Sequence, residues 1–104
     1  MRHQIVEPAS SAAARLRVGD TLEVRLLQIG GTGYLWQVDE VPPELTLDAD
    51  EGVVSSTSRA GAAGHHAFVF SAQHPGRGDL VLRLSRPWED EIEDEVTLDV
   101  TVGE

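Results

Sequence analysis

The sequence predicts an all-β fold, an antiparallel sandwich of about eight strands, from three observations. Apolar residues recur at every second position in one run after another, as in Leu22, Val24 and Leu26 or Leu80, Leu82 and Leu84, which is the period of a strand with one buried face. Glycines, prolines and acidic clusters stand between those runs at short intervals, as turns do in all-β domains. No segment carries the i, i+3, i+4 apolar stripe of a helix longer than a turn or two. The 104 residues, 40% of them hydrophobic, suffice for one domain spanning 1–104 and one core, and are too few for two.

In chain order, residues 3–7 read as an edge strand ended by Pro8, and the small residues 9–14 as a linker or irregular strand. Residues 1–15 thus form an N-terminal arm. Val18, Gly19 and Asp20 make a tight turn into a strand over 21–27. The glycine-rich stretch from Gly30 to Gly33 is a loop whose backbone can take φ > 0 and approach another surface closely. A strand over 34–38 follows and is ended by Pro42 and Pro43, which cannot continue a ladder. Leu45 and Leu47 mark a short strand, residues 48–52 an acidic turn, and residues 53–58 a further strand. That turn imitates the start of a calcium loop, but its twelfth position is Arg59 where a bidentate Glu belongs, so no calcium is expected. His65 and His66 open the next strand and point to opposite faces, which prevents them from sharing a metal. Residues 74–78 form a turn. Within it begins Arg77-Gly78-Asp79, an adhesion tripeptide that no other cell-surface feature accompanies. A leucine-faced strand over 80–84 follows, then a charge run from Glu89 to Glu95 read as a solvated loop tip, and a closing strand from Val96 to Val102.

Composition excludes several function classes. The net charge is −10 and all eight cations are arginine, a balance that phosphate backbones and anionic membranes repel and a basic protein partner favours. With no cysteine there is no disulfide, thiol nucleophile or thiolate metal site. Nucleophile-elbow, phosphate-loop and zinc-peptidase motifs are missing, and the carboxylates lie in runs, so neither catalysis nor a cofactor is expected. No window reaches the length of a membrane span, and no secretory apolar segment follows the first residues, so a cytoplasmic location is expected.

Three stretches together resemble one family. Gly30, Gly31, Thr32, Gly33 and Tyr34, then Gly61, Ala62, Ala63 and Gly64, then Arg86, Pro87 and Trp88 are similar, in order and spacing, to the inhibitory loops of the chagasin family of protein inhibitors of papain-like cysteine peptidases. Those loops carry Asn-Pro-Thr-Thr-Gly-aromatic, Gly-x-Gly-Gly and Arg-Pro-Trp or Phe. The third motif matches completely. The first matches at Thr32, Gly33 and Tyr34, with Ile29, Gly30 and Gly31 in place of Asn-Pro-Thr, and the second matches at Gly61 and Gly64, with Ala63 in place of a glycine. The resemblance spans roughly residues 17–102. It implies an immunoglobulin-like sandwich, in which the connections between strands B and C, D and E, and F and G meet at one end.

It also implies a function: reversible, competitive, one-to-one inhibition of a papain-like peptidase by a monomer, the three loops filling the active-site cleft. Trp88 is then an exposed contact residue, Pro87 fixes its loop's direction, and Arg86 is a structural hydrogen-bond donor. Because Gly30 and Gly31 lack the restraint of Pro-Thr, replacing them with Pro and Thr is expected to pre-organise the first loop and tighten inhibition if φ at position 30 is near the value proline imposes, and to distort the loop and weaken inhibition if Gly30 or Gly31 takes φ > 0. The alternative class is a non-catalytic immunoglobulin-like binding or adhesion module, since a sandwich alone does not fix function.

Overall fold

The computed structural model describes residues 1–29, 31–54 and 63–104. Among them every regular element is a strand: β1 (Arg2–Val6), β2 (Ser11–Arg17), β3 (Thr21–Ile29), β4 (Leu35–Glu40), β5 (Leu45–Val54), β6 (Ala63–Ala72), β7 (Gly76–Ser85) and β8 (Ile92–Gly103). They form two four-stranded sheets, ordered β1-β3-β6-β5 and β2-β8-β7-β4. Named from A in chain order, with β2 as A′, these are the A-B-E-D and A′-G-F-C sheets of an immunoglobulin-like sandwich. Six strands pair antiparallel, while β1 on β3 and β2 on β8 are parallel. The N-terminal arm therefore consists of two edge strands, including one where a linker was the simplest expectation.

The inner faces are those that alternation assigns. Leu22, Val24 and Leu26 of β3 meet Phe68 and Phe70 of β6, Leu80 and Leu82 of β7, and Val96, Leu98 and Val100 of β8, with Trp36 of β4 among them. Eight of the largest of these side chains are under 2% exposed, so core burial is the main stabilising contribution in a chain without cross-links. Pro42 lies across the central strand β7. A Cβ on Gly78 would stand 2.5 Å from Pro42 Cβ, so the crossing from one sheet to the other needs a glycine beneath it.

Three expectations are corrected. Residues 76–78, read as the end of a turn, already belong to β7, which starts at Gly76. Residues 48–52 are no turn: β5 runs unbroken from Leu45 to Val54. Two register shifts along β6, around 48 and 51–52, absorb the irregularity, with Gly52 at φ 66° and its N–H donating to Asp50 Oδ1 at 3.0 Å. Acidic residues are tolerated there because β5 is an edge strand whose outer face meets water. Likewise the charge run is a loop only as far as Glu91, since β8 starts at Ile92. Its carboxylates find strand partners, as Arg83 of β7 binds Glu95 Oε2 at 2.6 Å and Asp39 Oδ2 at 2.8 Å.

Candidate functional site

Strand register collects six strand ends at one pole of the sandwich. Ile29 is opposite Ala63, Val54 opposite His65, Leu35 opposite Ser85, and Ser85 opposite Ile92. The connections 30–34 and 86–91 therefore emerge side by side, and the stretch 55–62 leaves from and returns to strand ends at the same pole. Gly30, Gly61 and Ala62 lie outside the described residues. Ala63 and Gly64, expected in a loop, belong to β6, and Gly64 is buried opposite Gln28 of β3. Their backbone is committed to the ladder, which removes Gly64 from the exposed contact set.

The first loop is held by short-range bonds. Thr32 Oγ1 donates to the Ile29 carbonyl at 3.0 Å and accepts from Tyr34 N–H at 3.3 Å, the way a hydroxyl side chain closes a tight turn on its own backbone. Gly31 has φ 82° and Gly33 φ 81°, a region costly for residues with a Cβ. The positive φ at Gly31 meets the condition under which Gly30→Pro with Gly31→Thr distorts the loop instead of pre-organising it. A threonine at 31 would strain the conformation that the loop adopts.

The third loop is a turn in which Glu89 N–H donates to the Arg86 carbonyl at 3.0 Å. Pro87 occupies the second position, where its fixed φ is favoured, and Trp88 the third, at the tip. Arg86 ties this turn to the first loop. Its Nε donates to the Thr32 carbonyl at 2.9 Å, one terminal nitrogen to Glu89 at 3.1 Å, and its guanidinium carbon lies 4.2 Å from the centre of the Tyr34 ring. The bond to Glu89 raises its pKa further against the desolvation that opposes it, with the charges of Glu89 and Glu93 adding to the rise, so the clamp is a permanent cation stacked on an aromatic face. Trp88 completes the join. Its indole lies on Gly33 so closely that a Cβ there would be 2.4 Å from Cη2, yet Trp88 remains 71% exposed.

Below the loops, Trp36 is anchored by Nε1–H to the Leu27 carbonyl and by its backbone N–H to Gln28 Oε1, both at 2.9 Å. The second bond fixes Gln28 Oε1 as an acceptor, so His66 Nδ1, 3.1 Å from it, donates. The other ring nitrogen of His66 stands 2.5 Å from Asp50 Oδ1. The ring stacks on Phe68 with centroids 4.3 Å apart. Asp50 is held below its ordinary pKa: desolvation opposes this, and the bonds from His66 and the Gly52 N–H outweigh it. His65, on the opposite face, pairs with Glu7 at 3.2 Å. No group of three possible metal ligands gathers among the described residues.

Two neighbours of the loops escaped the motif reading, Leu27 at 42% and Ile29 at 52% exposure. A signal existed: both are apolar at positions of β3 that alternation assigns to the outer face.

The Chagasin family peptidase inhibitor I42 model matches residues 15–102. A direct sequence search of curated proteins finds no match. Among solved structures, the crystal structure of the cysteine protease inhibitor EhICP2 from Entamoeba histolytica is similar with a TM-score of 0.82 and 21% identity, covering 97% of this chain and 95% of that one. The solution structure of Amebosin aligns with a TM-score of 0.79 at 26% identity over 98% of both chains. PbICP-C in complex with falcipain-2 aligns with a TM-score of 0.64 at 22% identity, covering 98% of this chain and 89% of that one. Motif order, loop geometry and a family match over most of the chain agree, and the protein belongs to the chagasin family of peptidase inhibitors.

Proposed function

We propose that this protein is a reversible, competitive inhibitor of papain-like cysteine peptidases that fills their active-site cleft with the loop pole in a one-to-one complex. The observation that carries the reading is the welded wedge of first and third loops: Trp88 projects from its tip, Gly33 supports the indole, and Arg86 locks Thr32 and Tyr34 beneath. Family membership supplies the class of target, and the similar PbICP-C, solved with falcipain-2, supports a papain-like partner.

A papain-like peptidase attacks with a thiolate paired to an imidazolium, at the floor of an extended cleft. A productive substrate lies extended across it. The first loop does not offer that geometry, because φ near 80° at Gly31 and Gly33 curls the backbone. The absence of side chains at those positions allows approach to the cleft floor, while the curl keeps a carbonyl from presenting to the thiolate in line. Trp88 covers apolar surface at the cleft's side, and Arg86 orders the wedge before binding, which lowers the entropy lost on association.

Titration of papain with the purified protein tests this. Activity should fall to zero at one equivalent, recover on dilution with the inhibitor uncleaved, and be competitive with substrate, while trypsin stays unaffected. Full papain activity at a tenfold molar excess in the micromolar range contradicts the proposal.

A further inference from the structure

The two sheets are not closed along their full length. Strand β1 covers β3 only from Thr21 to Arg25, and β2 covers β8 only from Thr97 to Gly103. Between them the chain changes sheets, with Glu7 at φ 47° and its N–H donating to the Arg25 carbonyl at 2.8 Å. Among the described residues, 26–29 and 92–96 thereby have no ladder partner on that side, and a cleft of about 410 Å³ opens between them against the first loop. Its walls are apolar, Leu27 and Ile29 from one sheet, Leu84 and Val96 from the other, with Trp36 also lining it. The charged residues of its described lining are all acidic: Glu7, Glu93 and Asp94. At the bulge opposite Leu84 and Ser85, Glu93 is the extra residue of β8, and bulges re-aim side chains. The successive residues Glu93 and Asp94 therefore both line the cleft, where strict alternation would set them on opposite faces, and Glu7 joins them; one Asp94 oxygen accepts from the Glu95 N–H at 2.8 Å. Among the described residues no lining residue is cationic, and neighbouring Arg86 is already engaged by Thr32, Glu89 and Tyr34.

We propose that this cleft is a second docking site, which receives one lysine or arginine side chain from the rim of the bound peptidase. The proposal rests on the inhibitory reading above. A volume near the lower end for ligand sites suits a single side chain and not a peptide segment. An aliphatic stem lies along Leu27, Ile29 and Leu84 while its charged head meets Glu93 and Asp94, the division of labour that long cationic side chains make. Thr32 and Tyr34 line the same cleft, so a peptidase seated on the wedge covers its mouth.

The pocket is testable without any peptidase. Methyl-labelled protein titrated with n-butylguanidinium should show saturable shifts at Leu27, Ile29 and Leu84, with millimolar affinity, and n-butylurea, its neutral analogue, should give none. Glu93→Gln combined with Asp94→Asn should weaken guanidinium binding at least threefold and papain inhibition about three- to tenfold. Absent shifts, equal shifts with the urea, or unchanged inhibition by the double variant overturn the second site while leaving the wedge intact. A parent protein that binds guanidinium but does not inhibit papain overturns the inhibitory reading, and with it the assigned occupant.

Discussion

Gly33 and Trp88 constrain each other: the indole lies where a Cβ at position 33 would be, and the φ of 81° excludes one independently. Gly33→Ala is therefore expected to displace the indole and weaken inhibition at least tenfold, read as the inhibition constant against papain. Trp88→Ala removes an exposed aromatic from the contact, and such anchors typically account for about 2–4 kcal/mol, more than tenfold in affinity. With 71% of Trp88 exposed in the free protein, the melting temperature should barely move. A large drop would mean that the indole supports the fold. Gly31→Thr should weaken inhibition because of the positive φ at Gly31, the outcome that the sequence left conditional on that angle. Arg-Pro-Trp followed by acidic residues was enough to read Trp88 as exposed, since a large aromatic after proline and before charges has no strand face to enter. The curl of the first loop was not legible, because glycine admits either sign of φ and only the folded loop selects one.

Among the elements, β1 is held to β3 by a buried carboxylate. Glu23 is 3% exposed and accepts from Gln4 at 2.5 Å, Arg2 at 2.8 Å and Arg25 at 2.9 Å. The Gln4 bond, then those to Arg25 and Arg2, lower its pKa from 4.5 to about 2 against the desolvation that opposes them. A folded pKa below the unfolded one means that the unfolded chain takes up the proton first. The stabilisation is therefore complete above about pH 4.5 and lost as pH falls toward 2. Glu23→Gln should lower the melting temperature at pH 7 by roughly 5–10 °C, the effect of losing charge-assisted bonds of about 1–2 kcal/mol in a domain of this size. The parent and variant curves should converge below pH 3. Melting temperatures that differ by the same amount at pH 7 and pH 2.5 would assign the bond energy elsewhere. Legibility at this scale followed charge. Alternating apolar runs gave β3 closely and the apolar parts of β6 and β7, whereas the glycine-flanked start of β7 read as a turn, and β5 and the start of β8 were hidden in acidic stretches that read as turn and loop. Edge β5, and β8 where β2 does not cover it, keep their carboxylates in water without leaving the ladder.

For the whole molecule, the spacing of about eight strand segments pointed to a sandwich, and the resemblance of the three motifs to the chagasin loops completed the immunoglobulin-like order and the pole where the loops meet. The cleft beside that pole was not accessible, since it arises from the place where β1 ends and β2 begins. A net charge of −10 should steer the protein to basic rims, so association with papain is expected to slow as salt rises while dissociation changes little. Equal association rates at low and high salt would leave the charge to solubility alone. Most direct is the reactivity of the papain thiol toward iodoacetamide as the protein is added. If the loop pole fills the cleft, alkylation should slow in step with the loss of activity, reach its floor at one equivalent, and regain its free rate with Trp88→Ala at concentrations where the parent protects. A thiol that reacts at its free rate in the presence of a micromolar excess of the protein would contradict the placement of the wedge in the active-site cleft.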